Sequence, residues 1–217
     1  VALVGGEPPA REAAFAEVFA IFARIDADLN EWRPGSTLSR VNASAGGAPV
    51  EAPAELCEVV RLGLDGARKT HGLFDPTWAA LRGLWRFDPK ATVPAADEVR
   101  QRCALVGWKH VVVEPLDAGA RCRVRLEKKG VALGLGGLVK GCGVDRAVAA
   151  LRARGFADFY VQAGGDLFLA GTNAGRPWRA GIRDPRGRPD QIFAQLEVQD
   201  AAFSTSGDYE RYFEAGG

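Results

Sequence analysis

The chain has 217 residues, 47% of them hydrophobic and 25% charged, with a formal net charge of +1. That length permits one or two domains with a substantial core, and the composition is that of a globular protein. So even a charge balance gives no reason to expect nucleic acid or an anionic membrane surface as partner, and no apolar run approaches the roughly 20 residues of a membrane span.

The sequence opens on Val1 and contains no methionine, so it reads as a processed or trimmed chain from which any targeting segment would have been lost. Cys57, Cys103, Cys122 and Cys142 are scattered without a C-x-x-C pair, a spacing that speaks against zinc. Free thiols are expected. A Cys103–Cys122 bridge would require an oxidising compartment.

Residues 1–4 look like the remnant of a strand. Pro8-Pro9 can begin a helix, and Phe15, Val18, Phe22, Ile25 and Leu29 recur at steps of three and four, which predicts an amphipathic helix laid on a sheet. Residues 30–42, NEWRPGSTLSRVN, predict a loop with a turn at Pro34-Gly35; Ser36 or Thr37 can cap a short following helix. Trp32 in this loop is either a lid on the core or a stacking surface for a ring-shaped ligand. Residues 53–69 predict a second helix with Leu56, Val59, Val60, Gly63 and Ala67 on one face, closed by a left-handed cap at Gly72. Asp75 is held extended by Pro76. It either caps a short apolar helix running through Leu81, Leu84 and Trp85, or aims a carboxylate at a ligand beside Phe74.

A third helix is expected over residues 97–104 and a strand over 108–114. Residues 121–126, RCRVRL, alternate as a half-buried strand whose arginines face solvent. Neither histidine has a nucleophile in a recognisable context, so a Ser–His–Asp or Cys–His arrangement finds little support.

Residues 131–166, VALGLGGLVKGCGVDRAVAALRARGFADFYVQAGGD, form the stretch around which the rest is organised. An apolar run breaks into Gly134, Gly136 and Gly137, Lys140 follows, and an amphipathic segment starts near Gly143. That order predicts strand, glycine loop and helix, a place that suits an anion and most often a phosphate. Lys140 would add a full charge. It precedes Gly141 rather than Ser or Thr, so this is no Walker A motif, and the spacing is not a dinucleotide fingerprint. Further strands are expected at 158–162, 167–170, 178–183, 193–198 and 201–204, with Gly164-Gly165 as a turn. Helices early and hairpins late predict an α+β fold in one compact domain over 1–217, not a doubly wound parallel sheet. From the residues alone a phosphate-bearing ligand follows; a reaction does not.

In that order, GLFDPTWAALRGLW, GLGGLVKGCGVDRAVAALRARG, VQAGGDLFLAG and AFSTSGDYERYF, preceded by LNEWRPGSTLSRVN, resemble successive signatures of the ApbE family of flavin transferases. The resemblance runs from the first helix to the last residue and implies a single ApbE-like domain. It implies a protein that binds FAD and, with Mg²⁺, cleaves its pyrophosphate and transfers FMN to a threonine of an acceptor flavoprotein. Some members instead hydrolyse FAD to FMN and AMP. Trp32 falls where the family places an aromatic residue against FAD, and Leu73, Phe74 and Asp75 match a segment lining the same site. Lys140 matches an FAD contact at the end of the glycine loop. Gly137 matches a metal-site position where only its backbone carbonyl could serve. Asp166 and residues 206–208 lie in signatures without separate roles; Ser206 is counted with the FAD-binding candidates, and no residue is nominated as catalytic.

Two departures stand out. The family usually has Asp where this chain has Gly134, so that FAD contact is expected to be missing. Family members also continue past TSGDYERYF into a His-x-x-Asp-Pro-type motif and an Asp/Thr pair that ligates the metal, so the C-terminal part is expected to be missing here. A non-catalytic FAD-binding or flavin-delivery protein is therefore the alternative. The resemblance also implies a periplasmic or cell-envelope location.

Overall fold

The computed structural model describes residues 1–87, 92–188, 190–207 and 212. In chain order the elements are β1 (Ala2–Leu3), α1 (Pro8–Leu29), α2 (Thr37–Ala43), β2 (Val50–Pro53), α3 (Ala54–Lys69), α4 (Ala96–Cys103), β3 (Val111–Leu116), β4 (Arg121–Leu126), α5 (Gly136–Ala153), β5 (Phe159–Ala163), β6 (Asp166–Ala170), β7 (Trp178–Arg183), β8 (Ile192–Val198) and β9 (Ala201–Ser204). The fold is α+β as expected, and the named strands pair antiparallel. Contacts divide the chain into one unit of Val1–Ala23 with Lys140–Tyr212, and a second of Arg24–Val139.

In the first unit the sheet order is β1-β5-β6-β9, with β7-β8 as a separate hairpin. Ala14 and Val18 of α1, and Val144, Ala147 and Leu151 of α5, pack with Phe159 and Val161 in one apolar cluster. Strand alternation puts Phe159 and Val161 on this face, and the helical stripes meet them there. Each of the larger side chains, Val18, Val144, Leu151, Phe159 and Val161, stabilises by roughly 1.5–3 kcal/mol on burial.

The second unit has the order β2-β4-β3, with α3 and α2 packed against β4. The stripe read from the sequence is the buried one: Leu56, Val59, Val60, Gly63 and Ala67 are all inside. Glu55 in the first turn and Arg68 and Lys69 in the last complement the helix dipole. Gly72, at φ +85°, closes α3 by donating its N–H to Ala67 O at 2.8 Å. The alternation of β4 also holds, Cys122, Val124 and Leu126 being buried. Its arginines are less free than expected: Arg121 and Arg123 reach Glu51 at 3.2 and 3.6 Å, and Arg125 reaches Glu127 at 3.1 Å.

Several expectations are corrected. Cys57 and Cys122 form a disulfide between α3 and β4, and Cys103 and Cys142 are not disulfide-bonded; pairing is a matter of three-dimensional proximity, which spacing does not encode. Residues 76–85 hold only a 3₁₀ turn at Ala79–Leu81 rather than an apolar helix. Trp108–His110 is a 3₁₀ turn that precedes β3. Residues 131–135 are extended but make only an isolated bridge, Trp78 with Ala132. Most consequentially, α5 starts at Gly136 and not near Gly143. Lys140 is therefore a helical residue, not the end of a glycine loop.

Candidate functional site

Within Arg24–Val139, the loop that carries Trp32 is closed by short-range hydrogen bonds. Trp32 N–H donates to Asn30 Oδ1 at 2.8 Å, the Ser36 hydroxyl donates to Asn30 O at 2.7 Å, and Ser36 Oγ accepts from Ser39 N–H to cap α2. Asp26 accepts from Asn30 Nδ2 at 2.7 Å and from Arg33 at 2.6 Å. Those two partners, the Asn30 amide first and Arg33 second, hold its carboxyl below the usual carboxylate range. Trp32 itself is 65% exposed. The Arg82 guanidinium lies 4.0 Å from its ring centroid.

Arg82 Nη2 in turn meets Glu31 Oε1 at 2.5 Å, and Glu31 Oε2 accepts the Leu135 N–H at 3.0 Å. The Glu31 side chain is only 6% exposed. Asn42 completes the support of the extended segment: its amide accepts from Leu133 N–H at 2.7 Å and donates to Leu133 O at 2.9 Å. A side chain thus does for residues 131–135 what a neighbouring strand would.

Gly134 sits at the tightest point. Its N–H donates to Pro76 O at 2.8 Å, and its carbonyl accepts the Trp78 indole N–H at 2.9 Å. A Cβ at 134 would lie 2.6 Å from the Trp78 ring, so the absent side chain is required by packing. Gly136 and Gly137 are the opposite case: a Cβ at either would meet nothing within 4 Å. The first N–H groups of a helix have no partner one turn back in their own helix; in α5 those of Leu138 and Val139 turn to Leu135 O, and the space beside Gly136 and Gly137 is open.

Leu73 is 94% exposed. The Phe74 ring rests against Gly66 of α3, where a Cβ would come within 3.3 Å of it. Asp75 acts as the local cap foreseen for it, on a turn instead of a helix: Oδ1 accepts Thr77 N–H at 2.8 Å and Thr77 Oγ1 at 2.6 Å, and Oδ2 accepts Trp108 N–H at 2.9 Å. Oδ2 keeps a lone pair for a further donor.

In the other unit, Lys140 Nζ lies 3.5 Å from Asp166 Oδ2, and Ser204 Oγ donates to Asp166 Oδ1 at 2.5 Å. The lysine stem crosses Gly164, where a Cβ would stand 3.5 Å from it; Gly164 has φ +62°, and glycine adopts that turn without a steric penalty. Gly165 O accepts Thr205 N–H at 3.3 Å, which joins the glycine turn to the end of β9. Ser206 is exposed and lines a cavity of about 230 Å³ with Gly181, Arg183, Pro185 and Thr205. Asp208 and Tyr209 of the same signature lie outside the described residues.

The candidates thus fall into two groups. Trp32, Leu73, Phe74, Asp75, Gly134 and Gly137 belong to the second unit, and Lys140, Asp166 and Ser206 to the first. Sequence reading missed Glu31, Asn42 and Trp78. Each acts through a partner far along the chain (Glu31 on Arg82, Asn42 on Leu133, Trp78 on Gly134), and no local spacing signals such pairs. Among the described residues no group of three or more His, Cys, Asp or Glu side chains stands ready for a metal ion.

Comparison with known proteins adds the following. The model of the ApbE family matches residues 3–217. The chain is 33% identical to an FAD:protein FMN transferase of Treponema pallidum, over 96% of this chain and 61% of that protein. It is 29% identical to one of Klebsiella pneumoniae, over 100% of this chain and 63% of that one. Among solved structures, the ApbE protein of Thermotoga maritima superposes with a TM-score of 0.80 at 30% identity, covering 94% of this chain and 65% of the other. The flavin transferase ApbE of Vibrio cholerae gives 0.78 at 26% identity, covering 98% and 67%. The chain therefore spans about three fifths of the length of these curated relatives.

Proposed function

The chain belongs to the ApbE family, and from that premise we propose that it works as an FAD:protein FMN transferase, moving FMN from FAD to a threonine of an acceptor flavoprotein. The observation that carries this reading is the start of α5. Glycines with open space around them follow directly on Leu135, whose N–H is held by the same Glu31 that pairs with the arginine under Trp32. An exposed aromatic ring tied through Arg82 and Glu31 to the residue before a helix start suits a ligand that joins a planar ring to phosphate.

In the transfer, the threonine oxygen forms a bond to the phosphorus on the FMN side. The bond from that phosphorus to the bridging oxygen breaks, AMP leaves with the bridging oxygen, and the hydroxyl proton goes to a base or to solvent. Charge builds on phosphoryl oxygens, and fixed positive groups aimed at them lower the barrier. The first N–H groups of α5 are suited to that task, and Lys140 is proposed as an FAD contact on the family resemblance. No described residue is assigned as the base.

Mg²⁺ is part of the proposal for the family's chemistry, but the described residues do not make a complete site for it. Gly137 has no side chain, and its carbonyl belongs to the first turn of α5. We read residues 1–217 as one flavin-transferase-like domain, supported by a family match that runs through both units. A periplasmic or cell-envelope location is supported by the Cys57–Cys122 disulfide, since such bonds persist in oxidising compartments.

A second reading, an FAD-binding or delivery protein without transferase activity, is favoured by Gly134, which leaves no room for an acidic side chain. Incubating the chain with FAD, Mg²⁺ and a threonine-bearing acceptor separates the possibilities. Flavin fluorescence on the acceptor band of a denaturing gel supports the transferase. Free FMN and AMP without labelling mean a pyrophosphatase, and bound but intact FAD means a carrier.

A further inference from the structure

We propose that Glu31 and Arg82 are positioning residues, which hold the Trp32 indole as a platform with one open face for a ring of the flavin dinucleotide; this rests on the FAD-binding reading above. A tryptophan on a loop, 65% exposed, would ordinarily sample several orientations, and ordering it on binding costs affinity. Here one face is already covered by the Arg82 guanidinium at 4.0 Å. Arg82 cannot easily wander. Its backbone carbonyl and that of Ala80 accept from Arg102, and its Nη2 is held by Glu31.

Glu31 is nearly buried, at 6% exposure. Ion pairs so far removed from water add little net stability, because desolvation offsets the attraction. Arg82 Nε is buried without a hydrogen-bond partner among the described residues, so the guanidinium is not placed to satisfy all its own donors. What the arrangement does achieve is geometric. One carboxylate ties the guanidinium beneath the ring to the Leu135 N–H, the residue before α5. The distance between a stacked ring and the glycine helix start is thereby set before any ligand arrives.

The test is a double-mutant cycle on the 217-residue chain, with FAD, FMN and AMP as ligands and the Trp32 indole N–H resonance of the ligand-free protein as a second readout. Arg82→Met should weaken FAD binding about five- to tenfold and disperse the Trp32 resonance. In a Trp32→Ala background the same change should cost less than about twofold, since the arginine acts through the ring. Arg82→Lys serves where Arg82→Met does not fold, and should lose less. Glu31→Gln, which keeps an acceptor for Leu135, should fall between wild type and Arg82→Met. Whichever of FMN and AMP loses the same factor carries the stacked ring. Losses that multiply in the double variant, or an unmoved indole resonance, overturn the proposal. If the wild-type chain binds no FAD while the resonance still responds to Arg82→Met, the FAD reading fails and the positioning of the ring stands.

Discussion

The Trp78 indole donates to the carbonyl oxygen of Gly134 at 2.9 Å and fills the space a side chain at 134 would need. A side chain at 134, such as the Asp that the resemblance implies there, would therefore collide with this one tryptophan. The tryptophan also fixes where the extended segment before α5 runs.

Restoring the acid should therefore be harmful. Gly134→Asp is expected to destabilise the fold by about 1–3 kcal/mol, the range for forcing extra atoms into a filled site. Pairing it with Trp78→Ala should remove the clash, so the double variant should lose less than the two single changes added together. Thermal unfolding measures this, and an unchanged midpoint for Gly134→Asp would contradict the contact.

Lys140 pairs with Asp166 at 3.5 Å while its side chain stays half exposed, and such pairs contribute less than about 1 kcal/mol to stability. Lys140→Ala should leave the folded state nearly intact. It should weaken FAD binding by about 1.5–3 kcal/mol, the loss of one charge-assisted contact. Titration of FAD into the variant decides; unchanged affinity would remove Lys140 from the phosphate site.

Reducing the Cys57–Cys122 bridge, which closes a loop of 65 residues, should cost about 4 kcal/mol on the chain-entropy estimate. Thiol titration of the denatured, unreduced protein should find Cys103 and Cys142 only, and all four cysteines after reduction. Four reactive thiols without reductant would show that the bridge is not formed.

Asp26 titrates below its ordinary range because the Asn30 amide and then Arg33 favour its charged form. With a depressed folded pKa, its contribution is fully present above the unfolded value and disappears as pH falls through the folded one, that is, below about pH 4. The Trp32 loop it anchors should loosen in that window, read as a change in tryptophan emission. Asp26→Asn should flatten that acid response.

Periodicity carried most of the fold. The stripe of α3, the alternation of β4 and the hairpin of β5 and β6 around Gly164-Gly165 are where residue spacing puts them, because each is decided by burying one face; in α1 Val18, Ile25 and Leu29 are buried as expected, but Ala14 and Ile21 complete the buried stripe in place of the half-buried Phe15 and Phe22. The start of α5 was not legible. Gly136, Gly137, Gly141 and Gly143 each disfavour helix by about 1 kcal/mol, yet all lie inside α5, where the apolar cluster that buries Val144, Ala147 and Leu151 overrides local preference. Residues 131–135 look like a strand because they are extended, but their partners are the Asn42 side chain, Pro76 O and Glu31. At the site, Trp32 and Asp75 could be singled out from sequence, whereas the carboxylate at Glu31 and the ring at Trp78 act across distances along the chain that a single sequence does not mark.

The most direct test of the central claim follows the two phosphorus atoms of FAD separately. FAD carrying a radioactive label on the FMN-side phosphorus is incubated with the chain, Mg²⁺ and a threonine acceptor, in parallel with FAD labelled on the adenine side. Transfer predicts label on the acceptor threonine in the first case and in free AMP in the second, in equal amounts. Label that stays in intact FAD in both, with acceptor and all cofactors in excess, would contradict it.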